Sequence, residues 1–251
     1  MAMLTLKHID VWLSQNHILE DLSCEVTEGD FVVIVGANGA GKSTFFNTIA
    51  GKTIPQNGTI ELEGTDITML SEQQRAGMIT RLFQSTQLNS VGSLTVAQNL
   101  ALAHYSRRRA RLVDGMQVLP QELAERIIGE LGIHPSLLEK PMHALSGGQR
   151  QLIAFVMATR HIPKVLLLDE PTAALDPQAA TRLLQYSTQF IRQHQITTLL
   201  ITHDPHIALS IGNKVWILEN GRITKQYGAH EKKSLKPDEL IGRIEYAKLA
   251  Q

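Results

Sequence analysis

Apolar and polar residues alternate from Leu4 to Trp12 and again from Ile18 to Val26, with the polar run Ser14-Gln15-Asn16 between them. A period of two marks half-buried strands, so this stretch reads as two strands joined by a turn. After the turn Glu28-Gly29-Asp30 the pattern changes: Phe31-Val32-Val33-Ile34-Val35 is apolar at every position and mostly β-branched. That is what a strand covered on both faces requires. Val165-Leu166-Leu167-Leu168 and Thr198-Leu199-Leu200-Ile201 have the same character. Helical patterns separate these runs, which points to a mostly parallel sheet with crossover helices. The clearest helix spans Pro177 to His194, with Ala180, Leu183, Leu184, Ser187 and Ile191 on one face. Asp176 suits its N-cap, followed by a proline in the first turn. Lys214 to Leu218 and Arg222 to Tyr227 flank Asn220-Gly221 and read as a tight hairpin.

From about Ser85 to Ala144 strand runs disappear and helical patterns take over, as at Val96 to Leu102 and Gln121 to Leu131. This is expected to be an inserted helical subdomain. Its polar part holds Arg107, Arg108, Arg109 and Arg111, by default a solvated connector, otherwise a contact for an acidic partner surface or lipid headgroups. The segment Pro237 to Leu249 is amphipathic through Leu240, Ile241, Ile244 and Leu249 and is expected to pack on the core.

Composition narrows the function classes. The chain has 251 residues, 24 Lys plus Arg and 24 Asp plus Glu, so it lacks the basic excess of a nucleic-acid binder. Its single cysteine, Cys24, sits in an alternating stretch as a small core residue, and one cysteine allows no internal disulfide. The N-terminus shows no basic region followed by an apolar one, and no run approaches the roughly 20 apolar residues that cross a bilayer. If the protein serves a membrane process, other chains supply the span.

Gly36-Ala37-Asn38-Gly39-Ala40-Gly41-Lys42-Ser43 fits G-x-x-x-x-G-K-[ST], after an expected strand and opening an expected helix, Lys42 to Ala50. Glycines let the backbone wrap a phosphate, and successive N–H groups at a helix N-terminus attract it. Lys42 is placed to reach the β- and γ-phosphates and Ser43 to ligate Mg²⁺. The strand from Val165 ends in Asp169-Glu170, two adjacent acids that are costly unless a cation is near. Asp169 then suits Mg²⁺, and Glu170 suits the attacking water. His203, at the tip of a neighbouring strand, can contact the γ-phosphate and hold the water in line. Gln84, at the end of an expected strand from Met78 to Phe83, can reach Mg²⁺ or the water.

The run Leu145-Ser146-Gly147-Gly148-Gln149-Arg150-Gln151 adds a second anion-binding turn opening a helix, with Ser146 as N-cap. Together with Gly36–Thr44, Gln84, Leu166–Glu170, Ala174-Leu175-Asp176 and His203, it resembles the nucleotide-binding domain of the ATP-binding cassette family over about residues 4–228. The resemblance implies an α/β fold: a P-loop NTPase (RecA-like) core with a mostly parallel sheet, an N-terminal antiparallel β subdomain and an inserted α-helical subdomain. One cassette domain would fill 1–251, with 1–84 and 145–230 as core, 85–144 as the helical subdomain and 231–251 as a tail. It implies ATP and Mg²⁺ as ligands. Trp12 would stack on adenine; Gly36, Asn38, Gly39, Gly41, Lys42, Ser43 and Thr44 would bind the phosphates in one copy. Ser146, Gly147, Gly148, Gln149 and Asp176 would close on them from a second copy, in a head-to-tail dimer. Ala173 stands where the family often has serine, which removes one hydrogen bond across that interface.

Arg81-Leu82-Phe83-Gln84, the stretch Thr95 to Ala101 and Thr172 to Pro177 are similar to importer cassettes for amino-acid-like solutes that work with permease subunits and a substrate-binding protein. The resemblance thus implies a hydrolytic motor on the cytoplasmic face of the membrane, with an exporter motor as the alternative direction. A cytoplasmic assembly ATPase without a permease is a second reading. A small-molecule kinase is a third, and it leaves the Ser-Gly-Gly turn without a role.

Overall fold

A computed structural model describes residues 1–104 and 119–242. The four arginines at 107–111, together with Ile244 and Leu249 of the C-terminal segment, lie outside the described residues. In chain order the elements are β1 (Ala2–Leu13), β2 (Asn16–Thr27), β3 (Phe31–Val35), α1 (Lys42–Ala50), β4 (Asn57–Leu62), β5 (Thr65–Asp66), α2 (Glu72–Arg75) and β6 (Ile79–Leu82). Then come α3 (Thr86–Asn89), α4 (Val96–His104), α5 (Gln121–Glu130), α6 (Gly147–Thr159), β7 (Val165–Asp169) and α7 (Pro177–Gln193). The chain continues through β8 (Thr197–Ile201), α8 (Pro205–Ser210), β9 (Lys214–Glu219), β10 (Arg222–Tyr227) and α9 (Ala229–Ser234).

Two compact units result, one from residues 1–81, 163–170 and 190 onward, the other from 82–162 and 171–189. The first unit carries two sheets. An antiparallel one runs β2-β1-β4-β5, and a larger one runs β10-β9-β3-β8-β7-β6, in which β3, β7, β8 and β9 are parallel neighbours. Every residue of β3 and β8 is buried, which is why those runs contain no polar alternation. The core of this unit joins both sheets to α1 through Leu4, Val11, Leu22, Phe45, Phe46, Ile49, Val165 and Trp216. Cys24 is buried there, and burial pushes its thiol well above the usual range.

Four observations refine the sequence reading. The first turn is two residues long, Ser14-Gln15, so Leu13 pairs with Asn16 and Trp12 with His17. The strand expected over Met78 to Phe83 is shorter, leaving Gln84 exposed in a bend beyond it. The strand pair β4–β5 and the short helix α2 were not anticipated, although Thr59-Ile60-Glu61-Leu62 before Glu63-Gly64 carries the alternation of a strand entering a turn. Arg75, at the end of α2, is fully buried without a carboxylate partner at hydrogen-bond distance. Its guanidinium donates to the carbonyls of Thr48 and Ile49 in the last turn of α1, and to those of Leu70 and Thr68. A cation there satisfies helix-terminal carbonyls and complements the helix dipole. Burial pulls its pKa down to about 10. The helix that opens at the phosphate loop is therefore tied at its far end.

The second unit is helical. Asn99, fully buried in α4, donates to the carbonyls of Val91, Leu94 and Thr95 and accepts from the Val91 N–H, fixing the loop before the helix. Phe155 of α6 meets Tyr186 of α7 edge to face at 6.0 Å.

Candidate nucleotide site

The phosphate loop bridges β3 and α1. Gly41 stands at the α1 N-cap with φ 96, a left-handed conformation open to glycine, with no side-chain capping bond and no acid in the first turn. Nothing negative competes for the helix-terminal N–H groups, so an anion is the partner they fit. A Cβ on Gly36 would stand 2.2 Å from the Leu218 carbonyl oxygen, so only glycine lets the loop lie this close to β9. Asn38, Gly39 and Ser43 are exposed, whereas Lys42 and Thr44 are buried. The Lys42 ammonium donates to the carbonyls of Gly36 and Ala37 at 2.8 and 2.7 Å. Burial lowers its pKa, opposed by the charges of Glu170 and then Asp169. The lysine, the loop and both acids thus share one electrostatic site.

Parallel pairing sets the acids. Asp169 lies opposite Ile201 at the tips of β7 and β8, so the residues just beyond, Glu170 and His203, meet. The His203 Nδ1 is 3.1 Å from the Glu170 Oε2, and the Glu170 N–H donates to the Ile201 carbonyl. Glu170 has φ 44, a left-handed value that is strained for a non-glycine residue. Asp169 accepts a hydrogen bond from Arg81, whose other terminal nitrogen donates to Asn47 of α1. A carboxylate and the Ser43 hydroxyl are the hard oxygen donors that Mg²⁺ takes, so these residues fit that ion.

A Cβ on Gly41 would meet the Ile18 carbonyl oxygen and the Leu19 side chain of β2, the strand that also carries His17. The half-exposed Trp12 stacks on the His17 ring with centroids 4.0 Å apart and planes 7° from parallel. His17 in turn contacts Asp10 at 2.9 Å. The Asp21 backbone N–H, above all, holds the Asp10 carboxyl below its ordinary value.

In the second unit, Ser146 caps α6 by accepting from the Gln149 N–H, and the Gln149 side chain accepts from the Ser146 N–H, a reciprocal capping box. Gln149 is therefore committed to shaping the turn. Asp176 caps α7 through the Ala179 N–H at 2.9 Å. A Cβ on Gly148 would come within 2.6 Å of the Ala179 Cβ, which brings the starts of α6 and α7 together. They line a cleft of about 250 Å³ with Ser146, Gln149, Asp176 and Arg182.

The structure thus gathers Lys42, Ser43, Asp169, Glu170 and His203 in one unit, with Trp12 in the same unit. It gathers Ser146, Gly147, Gly148, Gln149 and Asp176 in the other, to which Gln84 also belongs. Sequence reasoning missed Arg81 as a partner of Asp169, Asn47 as its second anchor, and His17 beneath Trp12.

The ABC transporter family model matches residues 19–173. A tyrosine transport ATP-binding protein of Clostridioides difficile (strain R20291) is 36% identical over 232 residues, covering 92% of each chain. The thiamine import ATP-binding protein ThiQ of Brucella suis biovar 1 (strain 1330) is 33% identical over 222 residues, with 88% of each chain covered. Among solved structures, the ADP conformation of MJ1267, an ATP-binding cassette of an ABC transporter, superposes with TM-score 0.81 at 26% identity over 100% of both chains. The dimeric structure of MJ0796, a bacterial ABC transporter cassette, gives 0.75 at 25% identity over 90% of this chain and 99% of that one.

Proposed function

This chain belongs to the ABC transporter family of ATP-binding proteins, and on that footing we propose that it is the ATP-hydrolysing motor of a bacterial importer for a small, amino-acid-like solute. One observation carries the reading. A single chain presents two glycine-built helix N-termini suited to phosphate, α1 and α6, one in each compact unit. A second copy lets both act on one nucleotide: the loop of one protomer and the Ser146 turn of its twin close on the same γ-phosphate. The dimeric cassette among its structural relatives supports that arrangement.

In this reading Trp12 stacks on the adenine, and the Gly36–Thr44 backbone and Lys42 hold the phosphates. Asp169 and Ser43, with Gln84 as the third residue expected for the metal, would hold Mg²⁺, which would supply positive charge for the phosphate oxygens. Glu170 accepts a proton from the attacking water, and His203 keeps Glu170 and that water in line through the contact at 3.1 Å. Ser146, Gly147, Gly148 and Asp176 act from the opposite protomer. Closure must favour one permease state over another, since a ligand that binds both equally shifts nothing. Among the described residues no helix is long and apolar enough to cross a membrane. In this reading the working position is the inner face of the cell membrane, on permease subunits, with a substrate-binding protein on the far side. The import direction and solute class rest on the relatives' names, tyrosine transport and thiamine import.

Glu170→Gln tests the chemistry. Turnover should fall by about 10²-fold or more, the range of a lost general base, while ATP affinity stays close to wild type. Hydrolysis at the parental rate would remove Glu170 from its role.

A further inference from the structure

Arg81 is a buried cation attached to the carboxylate assigned to the metal. Its side chain is 8% exposed and that of Asp169 is 16% exposed. Nη2 donates to Asp169 Oδ2 at 2.5 Å, Nη1 donates to Asn47 Oδ1 at 2.6 Å, and the guanidinium carbon lies 5.7 Å from the centre of the Phe46 ring. Asn47 and Phe46 sit on α1, the helix that opens with Lys42 and Ser43. The guanidinium is therefore clamped between the phosphate-loop helix and the tip of β7, three residues before Gln84 in sequence.

Two adjacent acids at a strand tip need a cation. Among the described residues, without a divalent ion, the groups at hand are Arg81 on Asp169, Lys42, whose charge is felt by Glu170 and Asp169, and the His203 ring 3.1 Å from Glu170. Lysine can release a proton or turn toward a phosphate; arginine stays charged, and its planar fork suits a fixed two-sided clamp. A permanent charge bonded to Asp169 lowers what that carboxylate offers to free Mg²⁺. The phosphates of a bound nucleotide would restore the negative charge that a divalent ion needs. We propose that Arg81 is the resident counter-cation of Asp169, making divalent-metal binding contingent on nucleotide. The metal would then enter with ATP and not before it. This rests on reading Asp169 as a metal acid, and the controls below separate the two ideas.

The test is a Mn²⁺ titration followed by electron paramagnetic resonance on the full chain, with and without ADP. Without nucleotide, Arg81→Met should bind Mn²⁺ at least about tenfold more tightly than wild type, because a buried carboxylate has lost its partner. Adding Asp169→Asn to Arg81→Met should abolish the gain. Arg81→Lys, which keeps the charge and loses the fork, should stay within about threefold of wild type. An unchanged or weaker affinity in Arg81→Met overturns the proposal, since an arginine that merely orients Asp169 would weaken metal binding when removed. An equal gain in Arg81→Lys overturns it too, by showing that the clamp and not the charge matters. Should Arg81→Met fail to fold, Arg81→Gln keeps a donor toward Asp169 without the charge and is held to the same comparison. With ADP present, Asp169→Asn alone should weaken Mn²⁺ binding; no effect there would refute the metal assignment, and the proposal with it.

Discussion

Two adjacent glycines, Gly147 and Gly148, should respond in opposite ways to one added methyl group. Both lie in the first turn of α6, where alanine in place of glycine gains up to about 0.5–1 kcal/mol of backbone entropy. At Gly147 the new Cβ would meet the Leu175 Cδ2 at 3.4 Å, an ordinary contact, so Gly147→Ala should keep that gain. At Gly148 the new Cβ would stand 2.6 Å from the Ala179 Cβ, with the Ala179 Cα at 3.6 Å behind it. Neither alanine methyl can rotate away, so α6 and α7 must separate by most of an ångström. Overpacking of that kind costs about 1–3 kcal/mol, which outweighs the entropy gain. The two variants should therefore differ by about 2 kcal/mol, or about 4–8 °C in melting temperature for a chain of this size. Differential scanning calorimetry on the wild type and both variants reads this directly. Function should divide differently. Gly147→Ala keeps the fold but places a methyl beside an N–H assigned to a partner's phosphate, so ATP-driven pairing should weaken by about tenfold or more. If Gly148→Ala melts at or above Gly147→Ala, the close packing of the two helix starts is refuted. If Gly147→Ala pairs as well as its parent, the phosphate assignment of this turn fails.

Trp12→Ala removes the aromatic platform, and a stacking loss of about 1.4 kcal/mol raises the KM for ATP about tenfold with kcat nearly unchanged; an unaltered KM in steady-state assays would take Trp12 out of the site. Asp30 gives the fold an acid limit. Burial pushes its carboxyl up, but hydrogen bonds from Lys214, Asn213 and the Thr27 N–H outweigh burial and hold it below its ordinary value. A lowered folded-state pKa gives stability that is present above the ordinary carboxylate range and is lost as pH falls through the folded value. Urea unfolding of Asp30→Asn should then show a flatter acid limb than wild type, with the two curves approaching each other as the pH falls through the folded-state value; parallel curves would count against the Asp30–Lys214 pair.

The parallel strands were legible because burial on both faces replaces polar alternation with runs of apolar residues in β3, β7 and β8. The phosphate loop and the Ser146 turn were legible because glycine spacing and a capping serine encode local backbone geometry. Residues joined by tertiary contact were not. Arg81, Asn47 and Asp169 are separated by 34 and 88 positions and meet only when β6, α1 and β7 assemble. Arg75 bonds only backbone carbonyls, which leave no complementary residue to find in the sequence. His17 was within reach: a two-residue turn at Ser14-Gln15 puts it opposite Trp12, and a three-residue turn hides the pair. The glutamate at 170 could be read as a candidate base, but its left-handed backbone could not.

The central claim is that one nucleotide is held between two copies of this chain. Light scattering after gel filtration of Glu170→Gln, with and without Mg²⁺ and ATP, tests it most directly. The account predicts a mass of 27.8 kDa without nucleotide and twice that with it, the second species disappearing when Ser146→Arg is added. A Glu170→Gln protein that binds ATP and still elutes at the mass of one chain would contradict the account.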